Sequence, residues 1–374
     1  MRESETKNMA NPVIRQPKIL LIRRDNIGDL VCTTPMFQAL REKYPEARIC
    51  ALVNSYNVAV IRENPYLDEI FVYTKAKHRH RAQSAVSVYW NRLRMMWRLR
   101  RDHYDYVITA SARFQPRSLR VARFMRPRHI IGFVEAGRRG VQHVDIAIPY
   151  NLPRPLHEAE DVFRLLQPLG IGGTPPPMLV RPDAGEFAAA RCRINEHAAG
   201  RAGPLIGVHL STRKTTNRWP VTHFIELIRR LHAAYPEARF LLLWAPGDSS
   251  NPKHPGDDDI AAQIVKSLQG LPVIAYPMGN LDQLIADLSL CDTVITSDGG
   301  ALHIAAALGK PIVCFFGDID TTRWYPWGVP HVLLQPPTRH APDITPSEAF
   351  EAYQGLLSMV DSDKRRTDAE QVAG

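Results

Sequence analysis

Thr293-Val-Ile-Thr-Ser-Asp-Gly-Gly-Ala-Leu-His-Ile-Ala-Ala-Ala-Leu-Gly-Lys-Pro311 reads as an aliphatic strand, an Asp-Gly-Gly turn, an Ala-rich helix, a glycine cap at Gly309 and a proline stop. Gly299 and Gly300 bring bare backbone to the start of that helix. Unpaired N–H groups and the positive end of the helix dipole make such a start a seat for phosphate, and a nucleotide diphosphate is the natural occupant. His303 falls in the first turn, within reach of the same phosphates or of the leaving oxygen. Asp298 takes a hydroxyl or caps the helix; on the plainer alternative it only caps and His303 only packs.

Working outward, the pattern repeats on both sides. Strands are expected at Pro204–His209, Ala238–Trp244, Pro272–Tyr276 and Pro311–Phe316, with helices at Val221–Tyr235, Ile260–Leu268 and Leu281–Leu290 between them. The chain's first apolar run, Lys18-Ile-Leu-Leu-Ile22, has the aliphatic character of a buried parallel strand. It leads through the turn Asp25-Asn-Ile-Gly-Asp29 into a helix reaching about Tyr44, and further strands follow at Ala47–Val53, Glu69–Tyr73, Tyr104–Thr109 and His129–Phe133. Alternation of this kind implies an α/β fold of two doubly wound, mostly parallel sheets. In such sheets ligands sit at the carboxyl ends of the strands, so two facing sheets enclose a central cleft.

The expected division is a flexible N-terminus (1–17), a first Rossmann-like domain (18–170) and a Pro- and Gly-rich linker (171–185). A second Rossmann-like domain (186–345), a C-terminal helix passing back over the linker (346–362) and a frayed tail (363–374) follow. The length of 374 residues suits two such domains. The excess of 47 Lys and Arg over 38 Asp and Glu, +9, favours anionic partners such as phosphosugars, acidic lipid or nucleic acid. No zinc finger, RNA-binding signature or aromatic-basic platform supports nucleic acid. The cysteines, Cys32, Cys50, Cys192, Cys291 and Cys314, are odd in number and widely spaced, which suggests neither disulfides nor zinc and fits a reducing cytoplasm. No apolar run is long enough for a membrane span.

Three further stretches carry chemistry. His209-Leu-Ser-Thr-Arg-Lys-Thr-Thr-Asn-Arg-Trp-Pro220 leaves a strand end with hydroxyls and cations, so that Ser211, Thr212, Arg213, Lys214 and Arg218 can hold a pyrophosphate; a solvated loop is the plainer alternative. Asp29 falls at a helix start that favours its ionised form, as a proton acceptor for an attacking hydroxyl or as a simple cap. The surrounding turn has one glycine and no GxGxxG, which speaks against a dehydrogenase. From Lys75 to His103 a basic segment carries Val86, Trp90, Leu93, Met96 and Trp97 at core-like spacing, with Arg92, Arg94, Arg98 and Arg101 off that stripe. This suits an anionic membrane surface, or a solvated face over a buried stripe. The acids at 257–259 and 318–320 lack an obvious further ligand and give a divalent cation little support.

In order and spacing, five stretches resemble the ADP-heptose:lipopolysaccharide heptosyltransferases, glycosyltransferase family 9. They are Lys18-Ile-Leu-Leu-Ile-Arg23 with Gly28-Asp29 and Thr34-Pro35; His157-Glu-Ala-Glu160 before Leu165-Leu-Gln-Pro-Leu-Gly170; Arg218-Trp-Pro220; Ser297-Asp-Gly-Gly-Ala-Leu-His303; and Phe316-Gly-Asp-Ile-Asp-Thr-Thr-Arg-Trp324. The resemblance implies a GT-B fold, with acceptor on the first domain and nucleotide sugar on the second, and inversion without metal or other cofactor. It implies Asp29 as base, with Asp298, Gly299, Gly300 and His303 at the donor phosphates and sugar. Ser211 and Thr212 would touch phosphate, and Met278 would lie beside the donor base. It further implies a lipid-linked anionic saccharide acceptor at the cytoplasmic face of the inner membrane. Two features depart: Asn217 stands where the family usually has Lys, and an insertion from Gly247 to Asp259 falls where the family places a donor-contacting acid, leaving Asp248 as candidate. They leave another nucleotide sugar open, as well as a nucleotide- or polyanion-binding protein without catalysis.

Overall fold

The computed structural model describes residues 16–73, 85–111, 113–150, 154–197, 202–248 and 256–373. The N-terminus through residue 15, part of the basic segment (74–84) and most of the insertion (249–255) lie outside these residues.

Strands β1 (Lys18–Ile22), β2 (Arg48–Asn54), β3 (Glu69–Tyr73), β4 (Tyr106–Thr109), β5 (His129–Val134) and β6 (Ile146–Pro149) form one sheet in the order β3-β2-β1-β4-β5-β6. Strands β7 (Leu205–His209), β8 (Arg239–Leu243), β9 (Val273–Ala275), β10 (Thr293–Ser297), β11 (Ile312–Phe315) and β12 (His331–Leu334) form the other, β12-β11-β10-β7-β8-β9. Every pairing is parallel. Central strands are therefore covered on both faces, which is why Ile19 to Ile22 and Phe240 to Leu243 are unbroken apolar runs without exposure. Strand order reverses between β1 and β4 and again between β7 and β10, placing a crevice at each point.

The first half carries α1 (Ile27–Val31), α2 (Thr34–Lys43), α3 (Ala85–Arg101), α4 (Pro116–Met125) and α5 (Glu158–Phe163). The second carries α6 (Ala184–His197), α7 (Val221–Ala234), α8 (Asp258–Ser267), α9 (Leu281–Leu290), α10 (Gly300–Ala307), α11 (Thr321–Trp324) and α12 (Pro346–Ala373). The main contacts of α12 are with α7, β11 and β12 of its own half, and Tyr353 meets Thr293 at 3.1 Å. It runs helical to Ala373, where the sequence pattern ends a helix near residue 362 and has it pass over the linker.

The linker has no regular structure from Ile171 to Asp183 and is strapped to both halves: Leu179 N donates to Thr34 Oγ1 (3.0 Å) and Val180 N to the Ala307 carbonyl (3.2 Å). One apolar cluster runs through the seam, joining Leu21, Phe37 and Leu166 of the first half to Ile285, Leu302 and Phe316 of the second. Each such side chain contributes roughly 1.5–3 kcal/mol on burial, so the halves are held by a shared core as well as by the chain.

Of the α3 stripe, Val86 lies outside the described side chains, and Trp90, Leu93 and Trp97 are not core. Trp90, Leu93 and Trp97 are 65%, 37% and 50% exposed, and the helix is anchored through Leu99 and, partly, Met95 and Met96. Its neighbour β3 is the sheet's edge strand, and among the described residues none covers Trp90, Leu93 and Trp97.

Candidate active site

At the end of β1 the chain leaves the sheet with Arg23, a cation only 1% exposed. A buried guanidinium must find acceptors. Arg23 Nη1 donates to the Ala110 carbonyl (2.6 Å), and Nη2 donates both to Asp29 Oδ1 (2.9 Å) and to Glu158 Oε1 (2.6 Å). Asp29 occupies the first turn of α1, where its Oδ2 accepts from the backbone N (2.8 Å) and the Nδ2 (2.9 Å) of Asn26. Burial pushes this carboxyl up, but the Arg23 charge and the Asn26 hydrogen bonds outweigh it and hold it below its ordinary value. Asp29 is thus an oriented carboxylate, 9% exposed at the cleft.

On the facing half, α10 starts at Gly300 directly after Asp298 and Gly299. Together with Asn26, Ile27, Gly28, Asp29 and Tyr56, these residues, Ser211 to Lys214, His303, Ile319 and Trp324 line a cavity of about 370 Å³. The β10–α10 turn, the β7 loop and the α1 start thereby converge as expected. Arg218 and Met278 do not line it. Arg218 braces the β7 loop, with Nε to the Thr212 carbonyl (3.3 Å) and Nη1 3.7 Å from Asp257, while Met278 is buried in the apolar cluster.

The hydroxyls of Ser211 and Thr212 turn inward. Ser211 Oγ donates to Asp257 and accepts from Ala245 N (2.7 Å), and Thr212 Oγ1 donates to the Asp298 carbonyl (3.2 Å). Arg213 and Lys214 are exposed on the same wall, so cation charge and backbone N–H groups are what this loop presents. Asn217 is buried: its Nδ2 donates to Asp298 Oδ2 (3.1 Å) and its Oδ1 accepts from Gly317 N (3.1 Å). Burial pushes the Asp298 carboxyl up, against the pull of Lys214 and the Asn217 hydrogen bond. Burial also lowers His303 to about 4 against the pull of the Asp29 charge, and so favours a neutral ring.

Four acids of the 257–259 and 318–320 stretches have protein partners: Asp257 accepts from Ser211 Oγ, Asp258 from Trp244 Nε1 (2.8 Å) and Gly247 N (2.9 Å), Asp318 from Arg339 Nη1 (3.5 Å), and Asp320 caps α11. Asp248 accepts from Gly256 N through its backbone carbonyl at the base of the insertion (3.0 Å). Among the described residues no group of three or more His, Cys, Asp or Glu is placed to hold a metal ion, and no helix is long and apolar enough to cross a membrane.

A second, polar cavity of about 750 Å³ opens on the other side of Asp29. Arg24, Arg113, Arg117 and Arg323 line it, with Tyr150, Gln115 and Asp320. Asn26, Asp29, Tyr56 and Trp324 belong to both cavities and form the wall between them. These arginines, Tyr56, Trp324 and the Arg23–Glu158 pair went unassigned in the sequence reading. The available signal was Arg23 itself, a cation set directly at the end of a fully apolar strand.

Two Rossmann-like halves, with a carboxylate facing a glycine helix start and cations across one cleft, define a glycosyltransferase of the GT-B class. The family described as glycosyltransferase family 9 (heptosyltransferase) matches residues 92–354, and the chain belongs to it. It is 24% identical over 312 residues to lipopolysaccharide heptosyltransferase 3 of Escherichia coli, covering 80% of this chain and 83% of that protein. Among solved structures, the family 9 glycosyl transferase of Veillonella parvula superposes with a TM-score of 0.75 at 18% identity, covering 92% of this chain and 97% of that one. The E. coli heptosyltransferase WaaC with ADP gives 0.68 at 17% identity, covering 91% and 99%.

Proposed function

We propose that this enzyme transfers a heptose from ADP-heptose to an anionic, lipid-linked lipopolysaccharide-core acceptor, with inversion and without a metal ion. The observation that carries the reading is the position of Asp29 on the wall shared by the two cavities. A donor in the smaller cavity and an acceptor in the larger meet at that carboxylate. Asp29 takes the proton of the acceptor hydroxyl as its oxygen bonds to the anomeric carbon from the face opposite the diphosphate. The bond from that carbon to the diphosphate oxygen breaks, and the nucleotide leaves with the electron pair. Lys214, Arg213 and the α10 start oppose the charge that develops on the leaving group, which is the work a divalent cation would otherwise do.

The four arginines of the larger cavity suit an acceptor bearing phosphate or carboxylate. The donor assignment is carried over from the relative solved with ADP and from the names of the relatives. Membrane docking belongs to the same reading. Tyr89, Trp90, Leu93, Trp97 and Phe124 are exposed beside Arg92, Arg94, Arg98 and Arg101, the mixture that settles into an anionic bilayer interface. This patch adjoins the acceptor cavity: the Tyr73 ring has Arg92 at 4.5 Å and the cavity residue Arg24 at 4.1 Å.

The test is transfer from a panel of nucleotide sugars to truncated lipopolysaccharide cores in EDTA, with wild type beside Asp29→Ala. Transfer by wild type that collapses in the variant is the expected result. Nucleotide binding without transfer from any donor would make this a binding protein.

A further inference from the structure

Asp29 does not hold its own cation alone. Arg23 Nη2 is shared between Asp29 and Glu158, at 2.9 and 2.6 Å, and Arg23 Nε lies 3.4 Å from Asp25. Glu158 is fully buried, where a carboxylate with half a counter-ion is costly. Its second oxygen is taken by Arg323, which comes from α11 in the other half of the chain and reaches Asp161 at 3.2 Å as well. Asp161 is in turn held by Arg164 at 2.8 Å. The chain Asp29–Arg23–Glu158–Arg323 thus pairs two carboxylates with two guanidiniums, Arg323 being half-buried and supplied across the seam.

We propose that Glu158 and Arg323 are positioning residues for the base: Arg323 neutralises Glu158 so that Arg23 stays on Asp29. Without Arg323, Glu158 competes with Asp29, and with the more exposed Asp25, for the one Arg23 guanidinium. Either Arg23 swings wholly to Glu158 and lets Asp29 turn, or one carboxyl takes up a proton; both deplete the oriented, ionised Asp29. The donor-binding half thereby completes the electrostatics of the acceptor-side base. This rests on Asp29 being the base.

Charge pairing makes a prediction that packing does not. Arg323→Met should lower kcat on the order of tenfold with little change in donor KM, and adding Glu158→Gln to that variant should restore most of the loss, because the unpaired carboxylate is gone. Arg323→Lys, which keeps the charge, should lose less of kcat than Arg323→Met. Arg323 also lines the acceptor cavity, so a direct substrate role is the competing account; then the double variant is no better than Arg323→Met, and the proposal fails. It fails equally if Arg323→Met leaves kcat unchanged. If Arg323→Met does not fold, Arg323→Gln takes its place in the same comparison. Asp29→Asn, run alongside, separates the two levels: full turnover there overturns the base assignment itself, whereas its loss together with no recovery in the double variant overturns only the positioning chain.

Discussion

Gly28 of α1 and His303 of α10 meet across the seam so closely that a methyl group on Gly28 would stand 2.6 Å from His303 Cδ2. Gly300 faces Ile27 in the same way, at 3.2 Å. The two helix starts that bound the smaller cavity therefore each seat a side chain of the other against bare backbone, and glycine is what permits it. Gly28→Ala must displace a buried imidazole or part the halves. The expected outcome is a stability loss of about 1–3 kcal/mol with reduced turnover, read by urea unfolding and initial rates. Wild-type values in both would mean that the seam yields without cost.

Asn217 bridges Asp298 to the Gly317 backbone. Asn217→Leu keeps the bulk and removes both hydrogen bonds, leaving a buried carboxyl and an N–H short of a partner. A loss of about 1–3 kcal/mol is expected, with donor KM raised because the Asp298 turn loosens. A variant as stable as wild type would show that the bridge is dispensable.

Burial alone lowers His209 from 6.5 to about 4. The unfolded chain therefore takes a proton near pH 6.5 that the folded chain refuses until about pH 4. The sign follows: this contribution is complete above pH 6.5 and is lost as pH falls toward 4, by up to about 1.4 kcal/mol per unit. Wild type should accordingly lose its advantage over His209→Asn between pH 7 and 4.5 in urea titrations. A constant difference across that range would exclude the mechanism.

The α3 patch should hold the protein on vesicles containing phosphatidylglycerol. Trp90→Ser with Trp97→Ser should release it at any salt concentration, while Arg94→Glu should weaken binding chiefly at low salt, where charge attraction is least screened. Co-sedimentation unaffected by all three substitutions would remove the membrane from the account.

Arg113 and Arg117 face the larger cavity. Arg113→Ala or Arg117→Ala should raise acceptor KM by roughly 10- to 100-fold, the value of a charge-assisted hydrogen bond, with donor KM unchanged. A rise in donor KM instead would place the nucleotide on the wrong side of Asp29.

Most strands were legible because a buried parallel strand leaves an unambiguous mark, an aliphatic run closed by Gly, Pro or charge. β6 and β12 were not: four residues at a sheet edge, such as Ile146-Ala-Ile-Pro149, become a strand only because a neighbour is there to pair with. The α3 stripe was legible as a face, but periodicity does not say whether anything covers that face, and Trp90, Leu93 and Trp97 are uncovered among the described residues. Ser211 and Thr212 were found by residue type, yet no sequence signal tells that their hydroxyls turn toward Asp257 and the Asp298 carbonyl. Arg23, Glu158 and Arg323 lie far apart in the chain and acquire a common purpose only in three dimensions.

The two strand orders, β3-β2-β1-β4-β5-β6 and β12-β11-β10-β7-β8-β9, are the same plan followed from opposite ends. The loop after β1, with Asp29, is thus the counterpart of the loop after β7, with Arg213 and Lys214. The loop after β4, with Arg113, answers the one after β10, with Gly299 and Gly300. The same arrangement of strands thus turns a pair of loops from each half toward one cleft, each pair with its own chemistry. One pair carries an acid and an arginine, Asp29 and Arg113, and the other carries bare backbone and cations, Gly299 and Gly300 with Arg213 and Lys214.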